Sequence, residues 1–243
     1  APCSPFSVNR ELMRDAAILA RDKGVGLHTH LAENDEDVAY SLETFGCRPG
    51  TYAEDLGWTG PDVWHAHCVK LDSSEIDLFA RTQTGVAHCP SSNCRLGSGI
   101  APLRGMREVG VRVGLGVDGA AANDRANLLD EARQAMLLQR VARGADAMSA
   151  REVLEIATLG GAQTLGRDDV GQIAVGLRAD IAIWDVSGLE SAGSWDPSAL
   201  VLAGPRQVRD LFVEGRRIVA EGQCVTLPDV GVAARRAVER LSG

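Results

Sequence analysis

A chain of 243 residues, of which 45% are hydrophobic and 24% charged, is long enough to bury a large core as one barrel or two smaller domains. Its net charge of -8 argues against a nucleic-acid partner, because neutralising phosphates requires a basic surface, and it favours a small polar substrate. No run approaches the roughly 18 apolar residues of a membrane span and the N-terminus has no leader pattern, so we predict a cytoplasmic protein without membrane contact.

The first two thirds of the chain alternates helical and strand patterns. Apolar spacing, with capping boxes at Asp72 and Ser149, predicts helices over 10–23, 35–45, 72–81, 102–109, 128–143 and 149–159. Short apolar runs predict strands over 25–31, 63–69, 85–90 and 111–119. Strand-then-helix units in succession predict parallel strands and an α/β fold.

Each predicted strand carries a polar residue at its carboxyl end, namely His30, His67, His88 or Asp118. In a (β/α)8 barrel the chemistry lies at this edge of the sheet. Four unrelated core residues would seldom all fall there. The pattern therefore predicts one functional site at this edge.

The first of these strands carries two histidines and is followed by a carboxylate. His28 and His30 share one face of the strand, and Glu33 falls where the strand turns into a loop. This spacing would fit a metal site in which an imidazole holds a divalent metal ion and the nearby carboxylate moves protons. The alternative from this stretch alone is one buried and one solvated histidine.

The pattern changes after the last of these helices. Short strands with glycine-bearing turns are predicted over 170–173, 180–185 and 211–219, and a polar helix over 232–241. We therefore predict a catalytic domain over residues 1–168 and a small β domain over 169–243.

Five motifs together resemble the amidohydrolase superfamily, in its guanine deaminase and chlorohydrolase branch. They are Pro2-Cys3-Ser4-Pro5, His28-Thr29-His30-Leu31-Ala32-Glu33, His65-Ala66-His67-Cys68, His88-Cys89-Pro90-Ser91-Ser92-Asn93 and Val117-Asp118-Gly119. Segments 171–180 and 213–216 resemble the urease-like β-sandwich of that family. The resemblance implies a metal-dependent hydrolase barrel joined to part of this sandwich.

The resemblance also implies roles for individual residues. His30 and Asp118 would be metal ligands on the fifth and eighth barrel strands, with one zinc, or alternatively iron, in each site. Asp118 would also act as a base, Glu33 as the proton shuttle, and His67 would orient the attacking hydroxide. Glu33, His67 and Cys3 would contact the substrate, with Cys3 as a wall of the base pocket.

The chain departs from the family pattern in one respect. Only four barrel strands are predicted where the family has eight, and the HxH pair of the first strand, which supplies two ligands, is not found. We therefore expect this chain to be the C-terminal half of a protein of about twice the length. Its partners would be the missing N-terminal half and further copies in a homo-oligomer.

Within this branch the chain is most similar to bacterial 8-oxoguanine deaminases. This similarity implies zinc-dependent hydrolytic deamination of 8-oxoguanine to urate and ammonia. Guanine, isoxanthopterin and s-triazines are alternative substrates of related aminohydrolases. A non-catalytic scaffold is a further alternative, but the presence of His30, Glu33, His67 and Asp118 together argues against it.

Overall fold

The computed structural model of this chain describes residues 1–204, 207–227 and 230–242. Within it the chain forms two units, Ala1–Gly171 and Gln172–Gly243. Each unit has its own four-stranded sheet. The assignment of these units as a barrel half and a β-sandwich stays a prediction.

The sheet of the first unit is parallel, as its strand-then-helix pattern predicted. Its strands follow one another in the order β1 Leu27–Leu31, β2 Val63–His67, β3 Gly85–His88 and β4 Arg112–Leu115. Each is shorter than predicted. β2 ends at His67 because this residue and Cys68 have φ values of 68° and 52°, which an extended strand cannot continue.

One helix precedes the first strand of this unit, and the others follow the strands. In chain order the helices are α1 Arg10–Lys23, α2 Asp35–Phe45, α3 Pro49–Asp55, α4 Ser73–Thr82, α5 Pro90–Arg95, α6 Leu103–Glu108, α7 Leu128–Arg143, α8 Ala150–Glu155 and α9 Gly161–Thr164. The predicted capping boxes of Asp72 with Glu75 and of Ser149 with Glu152 are confirmed.

Two of the helices of this unit that were not predicted, α3 and α5, begin at a proline. No helix is predicted around Pro49 and Pro90 is predicted to end a strand, yet these prolines are the first residues of α3 and α5 respectively. Proline suits this position because its missing N–H has no partner in the first helical turn and its φ is already helical. Pro90 therefore begins α5, two residues after β3 ends at His88.

The helix predicted over 149–159 changes its geometry near β4. A π-helical turn, Ile156–Gly160, separates α8 from α9. A Cβ atom added to Gly160 would lie only 2.3 Å from the carbonyl oxygen of Val113. Glycine is therefore required at this position, because it lets the helix approach the backbone of β4 closely.

The second unit has an antiparallel sheet of β5 Ile181–Trp184, β6 Val208–Val213, β7 Arg216–Ala220 and β8 Gln223–Cys224, with helices α10 Pro197–Leu202 and α11 Val230–Ser242. The predicted strand over 170–173 is wrong. Gly171 has a φ of 94° and Ile173 is 85% exposed, so neither the backbone nor the burial is that of a strand. Of the helices described in either unit, none combines the length and the apolar character needed to cross a bilayer.

Candidate metal centre

Three polar side chains converge at the carboxyl edge of the parallel sheet. His30 is near the end of β1, His67 ends β2, and Asp118 follows β4. One ligand atom from each lies within 4.8 Å of the other two. Nε2 of His30 and Nε2 of His67 are each 3.9 Å from a carboxylate oxygen of Asp118, and the two rings stack at 5.2 Å.

His30 is oriented by the N-terminal segment. Its Nδ1 lies 2.6 Å from the carbonyl oxygen of Cys3, which also accepts a hydrogen bond from the His30 backbone N–H. A carbonyl can only accept, so Nδ1 carries the proton and Nε2 presents a lone pair to the cluster. The backbone of Cys3, predicted only as a pocket wall, thus fixes the tautomer of His30. Its predicted contact with substrate stays a prediction.

His67 reaches the cluster through an unusual backbone conformation. The register pairs it with Leu31, whose side chain lies on the opposite face of β1 from His30. The left-handed φ of His67 breaks the strand alternation, and its ring stacks on His30 instead. Its Nδ1 lies 2.8 Å from Oδ1 of Asn93. Its Nε2 is buried and has no hydrogen-bond partner among the described residues.

Asp118 is held by two hydrogen bonds. Strand β4 ends at Leu115, three residues before Asp118, and Asp118 takes a φ of 61°. Ser92 Oγ donates to Oδ2 at 2.5 Å, and the Gly119 N–H donates to Oδ1 at 2.7 Å. Burial raises the pKa of the Asp118 carboxyl group, but the hydrogen bonds from Ser92 and Gly119 and the nearby rings of His67 and His30 together outweigh burial, so this pKa lies below its usual value.

Glu33 lies beside the cluster. Its Oε2 is 3.7 Å from Nε2 of His67, and its backbone N–H donates to the carboxylate of Asp37 at 2.8 Å. The carboxylate therefore borders the same space as His30, His67 and Asp118. A small molecule bound in this space would be within reach of the Glu33 carboxylate for proton transfer.

The other three histidines of the chain, His28, His65 and His88, lie outside the cluster. His28 stacks on Trp64 with ring centroids 5.4 Å apart, and burial lowers its pKa. His88 ends β3, so its backbone is at the predicted edge, but its ring is not in the group of three. Burial lowers the pKa of His88 to about 3, which makes it a neutral core residue. Of the four polar residues predicted at this edge, three come together.

The residues present fit a divalent metal ion. Zinc holds nitrogen and oxygen ligands at about 2.0–2.2 Å, which brings neighbouring ligand atoms to about 3.3–3.6 Å from each other. The separations of 3.9 Å are slightly wider than this range. The unpartnered Nε2 of His67 is a buried polar atom directed at the same space, and a metal or an ordered ligand there would satisfy it.

Comparison with known proteins assigns the family. A sequence model described as the amidohydrolase family matches residues 1–218, and this chain belongs to that family. The chain is 43% identical over 236 residues to the 8-oxoguanine deaminase of Pseudomonas aeruginosa, covering 97% of this chain and 53% of that protein. It is 42% identical over 257 residues to an isoxanthopterin deaminase of an unknown prokaryotic organism, again covering 97% and 53%.

The fold comparison agrees. The crystal structure of an adenosine deaminase from Xanthomonas campestris with bound zinc superposes with a TM-score of 0.93 at 30% sequence identity, covering 98% of this chain and 56% of that one. The chain therefore has the fold of part of a metal-dependent hydrolase. It spans about half the length of the curated relatives it matches.

Proposed function

We propose that this chain supplies metal-binding and acid–base groups to a zinc-dependent hydrolase that deaminates a purine base. The observation that carries the proposal is the convergence of His30, His67 and Asp118 within 4.8 Å, with the Glu33 carboxylate 3.7 Å from His67. The deaminases named among the relatives support the reaction class. The four parallel strands would form half of a (β/α)8 barrel, and the second unit part of a urease-like β-sandwich.

His30 and Asp118 would hold the zinc ion, because His30 presents an imidazole lone pair and Asp118 a carboxylate. Iron would suit the same donors. When bound, the metal supplies an acidified water and polarises the reacting carbon. The pKa of the Asp118 carboxyl group lies below its usual value, so the group is ionised at neutral pH and presents a carboxylate oxygen to the metal.

Acid–base roles follow from the positions of the side chains. Asp118 takes a proton from the attacking water, and His67 orients that water through its Nε2. Glu33 donates one proton to the ring nitrogen beside the amino-bearing carbon and is reprotonated by the hydroxyl group of the adduct, while Asp118 returns the proton of the attacking water to the departing amine. The C–N bond to the amino group breaks as a C–O bond forms. Water and 8-oxoguanine thus give urate and ammonia.

We propose 8-oxoguanine as the preferred substrate, supported by the 43% identical relative of that name. Isoxanthopterin is the second candidate, since a deaminase of that name is 42% identical. Both bases carry an amino group on a fused pyrimidinone ring. Cys3 would contribute to the base pocket from the segment that also orients His30.

The test uses the protein as its gene encodes it. After zinc loading, kcat/KM is measured for 8-oxoguanine, isoxanthopterin, guanine and an aminotriazine, and metal content is measured on the same preparation. We expect about one zinc per chain and the highest kcat/KM for 8-oxoguanine. A preference for another base would leave the deaminase proposal standing and overturn the substrate. Stable protein without metal or turnover would favour the scaffold.

A further inference from the structure

The helical turn α5 contacts two members of the cluster at once. Ser92 and Asn93 are adjacent in this helix and fully buried. Ser92 Oγ donates to Asp118, and Asn93 Oδ1 lies 2.8 Å from Nδ1 of His67. Neither side chain belongs to the cluster itself. Asn93 bonds the ring nitrogen of His67 that faces away from the cluster, and Ser92 bonds Oδ2 of Asp118, the oxygen that lies 3.9 Å from His67 Nε2.

The contact with Asn93 fixes which nitrogen of His67 carries the proton. An amide oxygen can only accept, so Nδ1 must be the donor. The neutral ring then leaves Nε2 with a lone pair, and Nε2 is the atom that lies 3.7 Å from Glu33 and 3.9 Å from Asp118. A ring carrying its proton on Nε2 would present a donor to this space instead.

The contact with Ser92 fixes the carboxylate of Asp118. Because Asp118 follows β4 on a loop and not within a strand, the sheet alone does not orient its side chain. Ser92 engages one carboxylate oxygen and the Gly119 N–H engages the other. Each oxygen keeps a lone pair that remains free to face the cluster.

The anchoring of α5 supports this role. The first turn of the helix is tied to α7, because Glu131 accepts a hydrogen bond from the Ser91 N–H at 3.0 Å. Glu131 is buried and also accepts from Asn123 at 2.8 Å, in the loop that follows Asp118. One carboxylate of α7 therefore holds both α5 and the Asp118 loop in place.

We propose that Ser92 and Asn93 of α5 are positioning residues, Asn93 setting the tautomer and ring orientation of His67 and Ser92 setting the carboxylate of Asp118. The proposal rests on the function proposed for the cluster. Groups that orient metal ligands in this way typically contribute 10–100-fold to metal affinity or activity.

The Asn93 arm of the test reads the tautomer directly. Nitrogen-15 NMR of the imidazole of His67, recorded on the metal-free protein, should show Nδ1–H in the wild type. Asn93→Leu, which keeps the volume but removes the acceptor, should give a mixture of tautomers and a kcat lowered by about 10–100-fold at nearly unchanged KM. Asn93→Asp keeps an acceptor and should recover Nδ1–H and most of the rate.

The Ser92 arm reads zinc affinity by competition with a chelator. Ser92→Ala should raise the zinc Kd by about 10–100-fold, and Ser92→Thr, which keeps the hydroxyl, should restore it. Ser91→Ala is the matched control in the same helix, since the hydrogen bond from Ser91 to Glu131 uses the backbone N–H. The control should leave zinc affinity, tautomer and rate unchanged.

Three results would overturn the proposal: an Nε2–H tautomer of His67 in the wild type, a wild-type tautomer in Asn93→Leu, or a wild-type zinc Kd in Ser92→Ala. If every candidate base is left unreacted, the proposed function fails, while the tautomer and zinc readouts still decide the roles of Asn93 and Ser92.

Discussion

Two adjacent strands of the parallel sheet carry the same HxH pattern and use it differently. In β1 the pattern is His28 and His30, and in β2 it is His65 and His67. Only the second histidine of each strand reaches the cluster. His28 stacks on Trp64, and His65 is fully buried. The position of a histidine relative to the strand end therefore matters more than its spacing from the next histidine.

The two second histidines reach the cluster by different routes. The position of His30 follows from ordinary strand alternation. Its neighbour on the same face of β1 is His28, whose ring centroid lies 6.0 Å from that of His30. His67 reaches it only because its backbone is left-handed. This conformation costs a residue with a Cβ atom about 1–2 kcal/mol. Ala32, Cys68 and Asp118 have positive φ values at the same edge, and such strain commonly accumulates at functional sites.

The sharpest test of the comparison is metal binding. His30→Ala should reduce the zinc content from about one ion per chain to near zero, because a zinc site needs each of its few protein ligands. His65→Phe, in the paired strand, should retain zinc. Elemental analysis of the two purified variants makes the measurement. Equal zinc content in the two variants would contradict the proposal that only the second histidine of each strand contributes to the metal centre.

Turnover should respond next most strongly. Glu33→Gln removes the titratable group beside His67, so kcat should fall by about 10²–10⁴ while zinc content stays the same, as expected for general acid–base catalysis. Glu36→Gln, on the exposed face of α2, is the matched control and should leave kcat and zinc content unchanged. A Glu33→Gln enzyme with full activity would show that His67 works without this carboxylate.

The sequence was sufficient to predict the order of elements but not their ends. Periodic apolar residues and caps gave helices α1, α2 and α7 with their observed bounds, because these signals are local. β2 ends earlier than its apolar run, at a left-handed backbone conformation that no residue type specifies, and β4 ends at Leu115, before its apolar run does. Proline was interpreted as a strand terminator at Pro90, where it begins α5.

The candidate site was only partly predictable for the same reason. Residues at strand ends were found, because strand ends in a parallel sheet lie at one edge. The residues that orient them were not, since Asn93 meets His67 across 26 positions of the sequence. The carbonyl of Cys3 was missed because a backbone group has no sequence signal. His88 lies at the predicted strand end, but its ring is outside the cluster. The periodicity of the sequence places the residue at this end and does not show where its ring lies.

The stability of the first unit should depend on the first histidine of β2. His65 is fully buried, its Nε2 lies 2.9 Å from the Trp58 carbonyl oxygen, and its ring packs 5.3 Å from Phe79. His65→Ala should lower the free energy of unfolding by about 2–4 kcal/mol through the cavity it leaves. Urea denaturation checks this value. A change below about 0.5 kcal/mol, typical of surface sites, would contradict the core role.

The same histidine should make stability depend on pH. Burial lowers the pKa of His65 to about 4 from 6.5, so the unfolded state binds a proton that the folded state does not. Its contribution is therefore present above pH 6.5 and is lost as the pH falls towards 4, at up to about 1.4 kcal/mol per pH unit. Urea denaturation at pH 7, 6 and 5 should give a smaller slope for His65→Phe than for the wild type. Parallel slopes would mean that His65 does not titrate on unfolding.

The smallest effect should come from the first histidine of β1. His28 donates from Nδ1 to the carbonyl oxygen of Trp64 at 3.1 Å and stacks on the indole ring. His28→Phe keeps an aromatic ring against Trp64 and loses one hydrogen bond, so the free energy of unfolding should fall by only about 0.5–1.5 kcal/mol. Zinc content should be unchanged, because the ring lies outside the cluster of His30, His67 and Asp118. Loss of zinc in this variant would make both histidines of β1 part of the metal centre. Strand alternation, which places His28 and His30 on one face, would then be enough to identify the ligands that β1 supplies.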